Sequence, residues 1–121
     1  MNKQTKIFTF AKRNNMIIEF EQEYLRELFE EGKASGKKHR FQPQVIKQYI
    51  KTVKRLEFAT RIEDLFQISS LNYEKLSGVK SDLESVRVND QYRIEFKSKT
   101  TGEEPDVLTI CSIIELSNHY K

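Results

Sequence analysis

A chain of 121 residues with a net charge of +3 has room for one domain and not for two ordinary ones. Eight Phe and five Tyr are too many for a disordered chain, and no apolar run approaches the ~20 residues of a membrane span or forms a signal-peptide core. The lone Cys111 excludes an internal disulfide, and two distant His leave no zinc quartet, so a reducing cytoplasm is the expected home.

Residues 1–15 contain Lys3, Lys6, Lys12 and Arg13 and no acid, a local charge of +4. They read as a basic extension ending in the turn-like Arg13-Asn-Asn15, before a domain over 16–121. Met16 is a second candidate start. Met16-Ile-Ile-Glu-Phe20 reads as a first strand. Tyr24, Leu25, Leu28 and Phe29 follow at helical spacing, with Gly32 as the stop.

Charge is segregated across this region. Glu19 to Glu31 holds six acids against Arg26, whereas Lys33 to Arg55 holds eight Lys/Arg and no acid. A cationic block repels itself unless something anionic lies near. The acidic helix and RNA are the two candidates. Pro43 suits a first helical turn, and Val45, Ile46, Tyr49, Ile50, Val53 and Leu56 continue at helical spacing with Lys47, Lys51, Lys54 and Arg55 on the other face. Thr60-Arg-Ile-Glu63 matches a capping box for a short helix through Leu65 and Phe66. Ser69 to Leu83 reads as polar and irregular around Gly78.

The last third is strand-rich. Val86 and Val88 alternate with Arg87; Tyr92, Ile94 and Phe96 alternate with Arg93, Glu95 and Lys97. Val107 to Ile114 is almost continuously apolar, as expected of a central strand covered on both faces. The pattern gives an α+β domain: a small antiparallel sheet with N-terminal helices packed on one face.

The hairpin register has a chemical consequence. A two-residue loop would pair Val86 with Arg93 and mix the faces. A three-residue loop over Asn89-Asp90-Gln91 pairs Val88 with Tyr92, Arg87 with Arg93 and Val86 with Ile94, and separates the faces cleanly. Arg87 and Arg93 then face each other on the side away from the core, where like charges repel unless screened by solvent or by Glu95. Two converging guanidiniums also suit a phosphate. At the chain end, His119, Tyr120 and Lys121 bring an acid–base group, a stacking ring and a cation. His39 reads as a solvated loop residue and Cys111 as a small core residue. Gly32-Lys-Ala-Ser-Gly-Lys-Lys38 has the wrong spacing and no preceding strand for a phosphate loop.

Tyr73-Glu-Lys-Leu-Ser-Gly78, the hairpin Ser85-Val-Arg-Val-Asn-Asp-Gln-Tyr-Arg-Ile-Glu-Phe96 and the closing Glu115-Leu-Ser-Asn-His-Tyr120 resemble the HigB branch of the RelE/ParE toxin superfamily. The similarity runs from about Met16 to Lys121. It implies a RelE-like microbial-ribonuclease fold and a bacterial type II toxin that cuts mRNA in the ribosomal A site without a metal or other cofactor. The implied partner is a HigA-like helix-turn-helix antitoxin. By the same resemblance Arg87 and Arg93 serve the phosphate charge, and His119 and Tyr120 serve proton transfer or stacking. Lys80 and Lys121 are weaker phosphate contacts; the basic-block residues Lys47, Lys51 and Lys54 are RNA-binding candidates.

Two departures from the family stand out. Glu74 occupies the place where HigB toxins often carry His in a His-Pro-Leu-Lys-Gly stretch, and is the alternative for its acid–base role. The terminal His and Tyr are also in swapped order. The resemblance admits two other functions: a ParE-like toxin that inhibits gyrase by protein contact, and an inactive homologue acting as corepressor with its antitoxin.

Overall fold

The computed structural model describes residues 16–103 and 107–118; the expectations for 1–15, His119, Tyr120 and Lys121 lie outside these. The order is β1 (Ile17–Phe20), α1 (Glu23–Glu31), α2 (Pro43–Phe58), α3 (Glu63–Phe66), β2 (Glu74–Lys75), β3 (Glu84–Arg87), β4 (Arg93–Thr101) and β5 (Leu108–Ser117), with short 3-10 turns at Lys37–His39, Ser69–Leu71 and Gly78–Lys80. The five strands form one sheet in the order β1-β5-β4-β3-β2. The α+β reading holds, but the sheet is mixed. β1 lies parallel to β5, while the other pairs are antiparallel. The two strands are joined through the helices and the rest of the sheet, so no tight turn forces them to oppose.

The core lies between one face of the sheet and the first two helices. Tyr24, Leu25 and Leu28 of α1 and Val45, Tyr49, Val53 and Leu56 of α2 meet Val86, Ile94, Phe96, Cys111, Ile113 and Leu116. Tyr49 is fully buried, and its hydroxyl donates to the Leu25 carbonyl at 2.8 Å, which joins the helices. Burial raises its pKa and also pushes the Cys111 thiol up, in keeping with a core cysteine. Helix α1 stops where Gly32 takes a left-handed φ of 78° and donates to the Leu28 carbonyl. Pro43 opens α2 in the first turn.

Three local expectations change. The Thr60–Glu63 capping box does not form. Asp64, one residue further, accepts the N–H groups of Thr60 and Arg61 at 3.0 and 3.1 Å, because α3 begins only at Glu63. The segment read as irregular contributes the edge strand β2, paired with β3. β5 is not hidden on both faces: Thr109, Cys111 and Ile113 are buried and alternate with half-buried neighbours.

A bulge then resets the alternation of β5. Glu95 pairs with Glu115 and Phe96 with Ile113, so Ile114 has no partner on β4. The Gln22 side chain donates to the Ile114 carbonyl at 2.7 Å. The extra residue keeps Leu116 with the core and turns Glu115 and Ser117 to the other face. Tyr24 fixes this end of the strand, its hydroxyl oxygen accepting the Leu116 N–H at 3.2 Å.

Candidate active site on the charged face of the sheet

The face away from the helices carries two rows of polar residues set by strand register. Arg87, Arg93 and Ser117 form one row across β3, β4 and β5. Glu74, Ser85, Glu95 and Glu115 form the next, across β2 to β5. The three-residue hairpin loop is present as expected. Val86 pairs with Ile94 and Arg87 with Arg93, while the Val88 and Asn89 N–H groups both donate to the Tyr92 carbonyl. Asn89 braces the turn: its Oδ1 accepts the Gln91 and Tyr92 N–H groups, and its Nδ2 donates to Gln48 of α2.

The two arginines share a row but not an environment. Arg87 is 41% exposed and pairs with Asp90 of the loop. Arg93 is only 3% exposed. Its Nε donates to Ser85 Oγ at 2.9 Å, and its Nη2 donates to the Asn72 carbonyl at 2.7 Å and lies 3.9 Å from the Glu74 carboxylate. Arg93 leans across to the second row, where Ser85, the Asn72 carbonyl and Glu74 meet its charge. Asn72 takes a left-handed φ of 43°, which aims its carbonyl at Arg93; Asn tolerates this conformation better than most residues.

Glu95 is paired with Lys80, whose Nζ lies 3.0 and 3.2 Å from its two oxygens. Glu74, Lys80, Arg87, Arg93 and Glu95 thus gather on one face, at the end of the sheet where β5 finishes at Ser117. Sequence reasoning missed Glu95 as more than a counter-charge. The signal was present: Arg93 and Glu95 alternate with Ile94 and Phe96, so both had to sit on one face.

Lys47, Lys51 and Lys54 lie elsewhere. They are exposed on α2, whose opposite stripe packs on the core, so the helical layer separates them from the charged face. They make no ion pair among the described residues. Helix α1 does not neutralise them. Arg26 takes Glu23, Glu30 and Glu31, and Glu27 accepts from Ser35. The Arg26 hydrogen bond holds the Glu23 carboxyl below its usual range. His39 is not simply solvated: its ring stacks on Tyr24 at 3.6 Å between centroids. No group of His, Cys, Asp and Glu that could hold a metal occurs among the described residues, nor does a helix long and apolar enough to cross a membrane.

Comparison with known proteins agrees with this architecture. The solved YoeB/ParE toxin from Agrobacterium tumefaciens is similar in fold, with a TM-score of 0.51 at 12% identity, over 87% of this chain and all of that one. No curated protein matches. Residues 18–108, which include Glu74, Lys80, Arg87, Arg93 and Glu95, match the family model for HigB-like toxins, described as the RelE-like toxin of the type II toxin–antitoxin system HigB. The chain belongs to this HigB-like toxin family.

Proposed function

We propose that the chain is a ribosome-dependent endoribonuclease that cuts mRNA in the A site and is held inactive by a HigA-like helix-turn-helix antitoxin. The observation that carries this reading is the gathering of a reachable guanidinium, Arg87, with Glu74, Lys80 and the buried Arg93 on one face of the sheet.

The chemistry needs no metal or other cofactor. The 2′-oxygen upstream of the scissile bond attacks phosphorus and loses its proton to a base. The bond from phosphorus to the 5′-oxygen breaks, and that oxygen takes a proton, leaving a cyclic phosphate and a 5′-hydroxyl. The protein must orient the nucleotide, neutralise the phosphorane and move two protons.

Arg87 is the first candidate for the phosphorane charge. Arg93, committed to Ser85 and Asn72, contributes positive field and holds the segment leading to Glu74. Glu74 is an open carboxylate beside Arg93 and a candidate proton acceptor. His119 and Tyr120 are the proposed proton-transfer or stacking groups, and Lys121 a phosphate contact. Lys47, Lys51 and Lys54 form a second, sequence-blind contact with RNA backbone on the far side of the domain.

Induction of the chain in bacteria, followed by primer extension on several mRNAs, tests the reading. Cuts inside translated frames that vanish when initiation is blocked are expected. One observation favours a different reading: a guanidinium as enclosed as Arg93 is not open to a substrate, as a toxin acting by protein contact would allow. Growth arrest without cuts would overturn the ribonuclease reading and turn the search to a protein target, with gyrase the first to assay.

A further inference from the structure

We infer that Glu95 is a positioning residue that holds the Lys80 ammonium on the charged face as a phosphate-binding cation; the inference rests on the ribonuclease reading above. Glu95 sits in the middle of the second row, between Ser85 and Glu115, and its side chain is 2% exposed. Hiding a carboxylate is costly unless it is paired, and nothing in the packing of the apolar core requires a charge on this face.

Its partner comes from a different kind of element. Lys80 ends a one-turn 3-10 segment that starts at Gly78, with a left-handed φ of 71°, and includes the fully exposed Val79. A lysine on such a projecting turn has a long flexible stem and no fixed position of its own. Here both carboxylate oxygens of Glu95 hold Nζ, while the side chain keeps 37% exposure. The side chain is therefore both anchored and partly open to solvent.

The neighbouring cations sharpen the assignment. Arg93 is enclosed and donates to Asn72 and Ser85. Arg87 is tied to the loop residue Asp90. Lys80 is the described cation that combines access from solvent with a buried anchor on this face. Charge stabilisation is effective when the donor is placed before the transition state forms, and the Glu95 anchor supplies that placement.

The test uses the full chain in single-turnover cleavage of mRNA on programmed ribosomes, with ribosome binding and a thermal melt measured for each variant. Lys80→Ala and Glu95→Gln should each slow cleavage by about tenfold or more per folded molecule, with ribosome binding changed less than about threefold. If Glu95 acts through Lys80, the double variant cleaves no more slowly than Lys80→Ala alone. Glu95→Asp, which keeps the charge on a shorter stem, should fall between wild type and Glu95→Gln, and it decides the matter should Glu95→Gln fail to fold.

Native rates for Lys80→Ala, or losses that multiply in the double variant, would overturn the inference while leaving the ribonuclease reading intact. A folded Glu95→Asp at the full wild-type rate would overturn it in the same way. A wild-type chain that cuts nothing on the ribosome would overturn both.

Discussion

Over its first four residues the two faces of β4 are almost equally hidden from water and chemically opposite. Ile94 and Phe96 are fully buried toward the helices; Arg93 and Glu95, alternating with them, are 3% and 1% exposed on the other side. On the first face burial is itself the stabilising term. On the second it is a cost, offset by Ser85, the Asn72 carbonyl, Glu74 and Lys80, and among the described residues no buried side-chain nitrogen or oxygen lacks a partner. The apolar face makes the domain fold. The charged face places groups in fixed positions, and it is the face on which the proposed reaction would run.

Substitutions on the two sides should separate these roles. The largest effect belongs to the apolar face. Phe96→Ala should destabilise the domain by about 3–5 kcal/mol through lost burial and a residual cavity, a large part of the ~5–15 kcal/mol that a small domain has. Urea unfolding followed by circular dichroism measures it. A loss below about 1 kcal/mol would mean that the sheet does not depend on this face.

Arg93→Ala comes next, at about 1–3 kcal/mol, because it leaves the Asn72 carbonyl and Ser85 without their donor and Glu74 without the nearby cation. Toxicity should fall with it for two reasons at once, so an alanine alone does not separate catalysis from folding. Arg93→Lys keeps the charge but loses the fork, and should recover part of the stability in the same unfolding experiment. Full recovery would show that the planar geometry is irrelevant. Asn89→Ala ranks third, at about 1 kcal/mol, since its side chain satisfies two hairpin N–H groups and reaches Gln48 on α2. Faster amide exchange at Gln91 and Tyr92 should accompany it.

Much of this comparison was legible in the sequence. Period-two alternation on both sides of Asn89-Asp90-Gln91 admits one register that keeps Val86 and Ile94 on the same face, so the Arg87–Arg93 pairing followed from hydrophobicity alone. The enclosure of Arg93 did not, because its partner Asn72 is set by a left-handed turn 21 residues away. The parallel placement of β1 beside β5 depends on how the helices cross the sheet, which no local pattern encodes. The bulge lies within the apolar run, where Ile113 and Ile114 look alike although only one of them has a partner on β4. The lysines of α2 were legible as a face, but their separation from the arginines depends on which side of the sheet the helices cover.

Arg87 gives the smallest expected change in stability and the sharpest test of what the charged face is for. It is 41% exposed, and its partner Asp90 is 92% exposed, so the pair is screened and adds little to the fold. Arg87→Ala should therefore shift unfolding by no more than about 0.5 kcal/mol. If this guanidinium neutralises the phosphorane, the same substitution should lower the rate of mRNA cleavage on the ribosome by about 100-fold or more. Stability and activity would then part at a single residue, whereas at Arg93 they fall together. A folded Arg87→Ala chain that still cuts at the wild-type rate would remove Arg87 from the chemistry. The phosphate charge would then have to be met by Lys80 and the field of the enclosed Arg93.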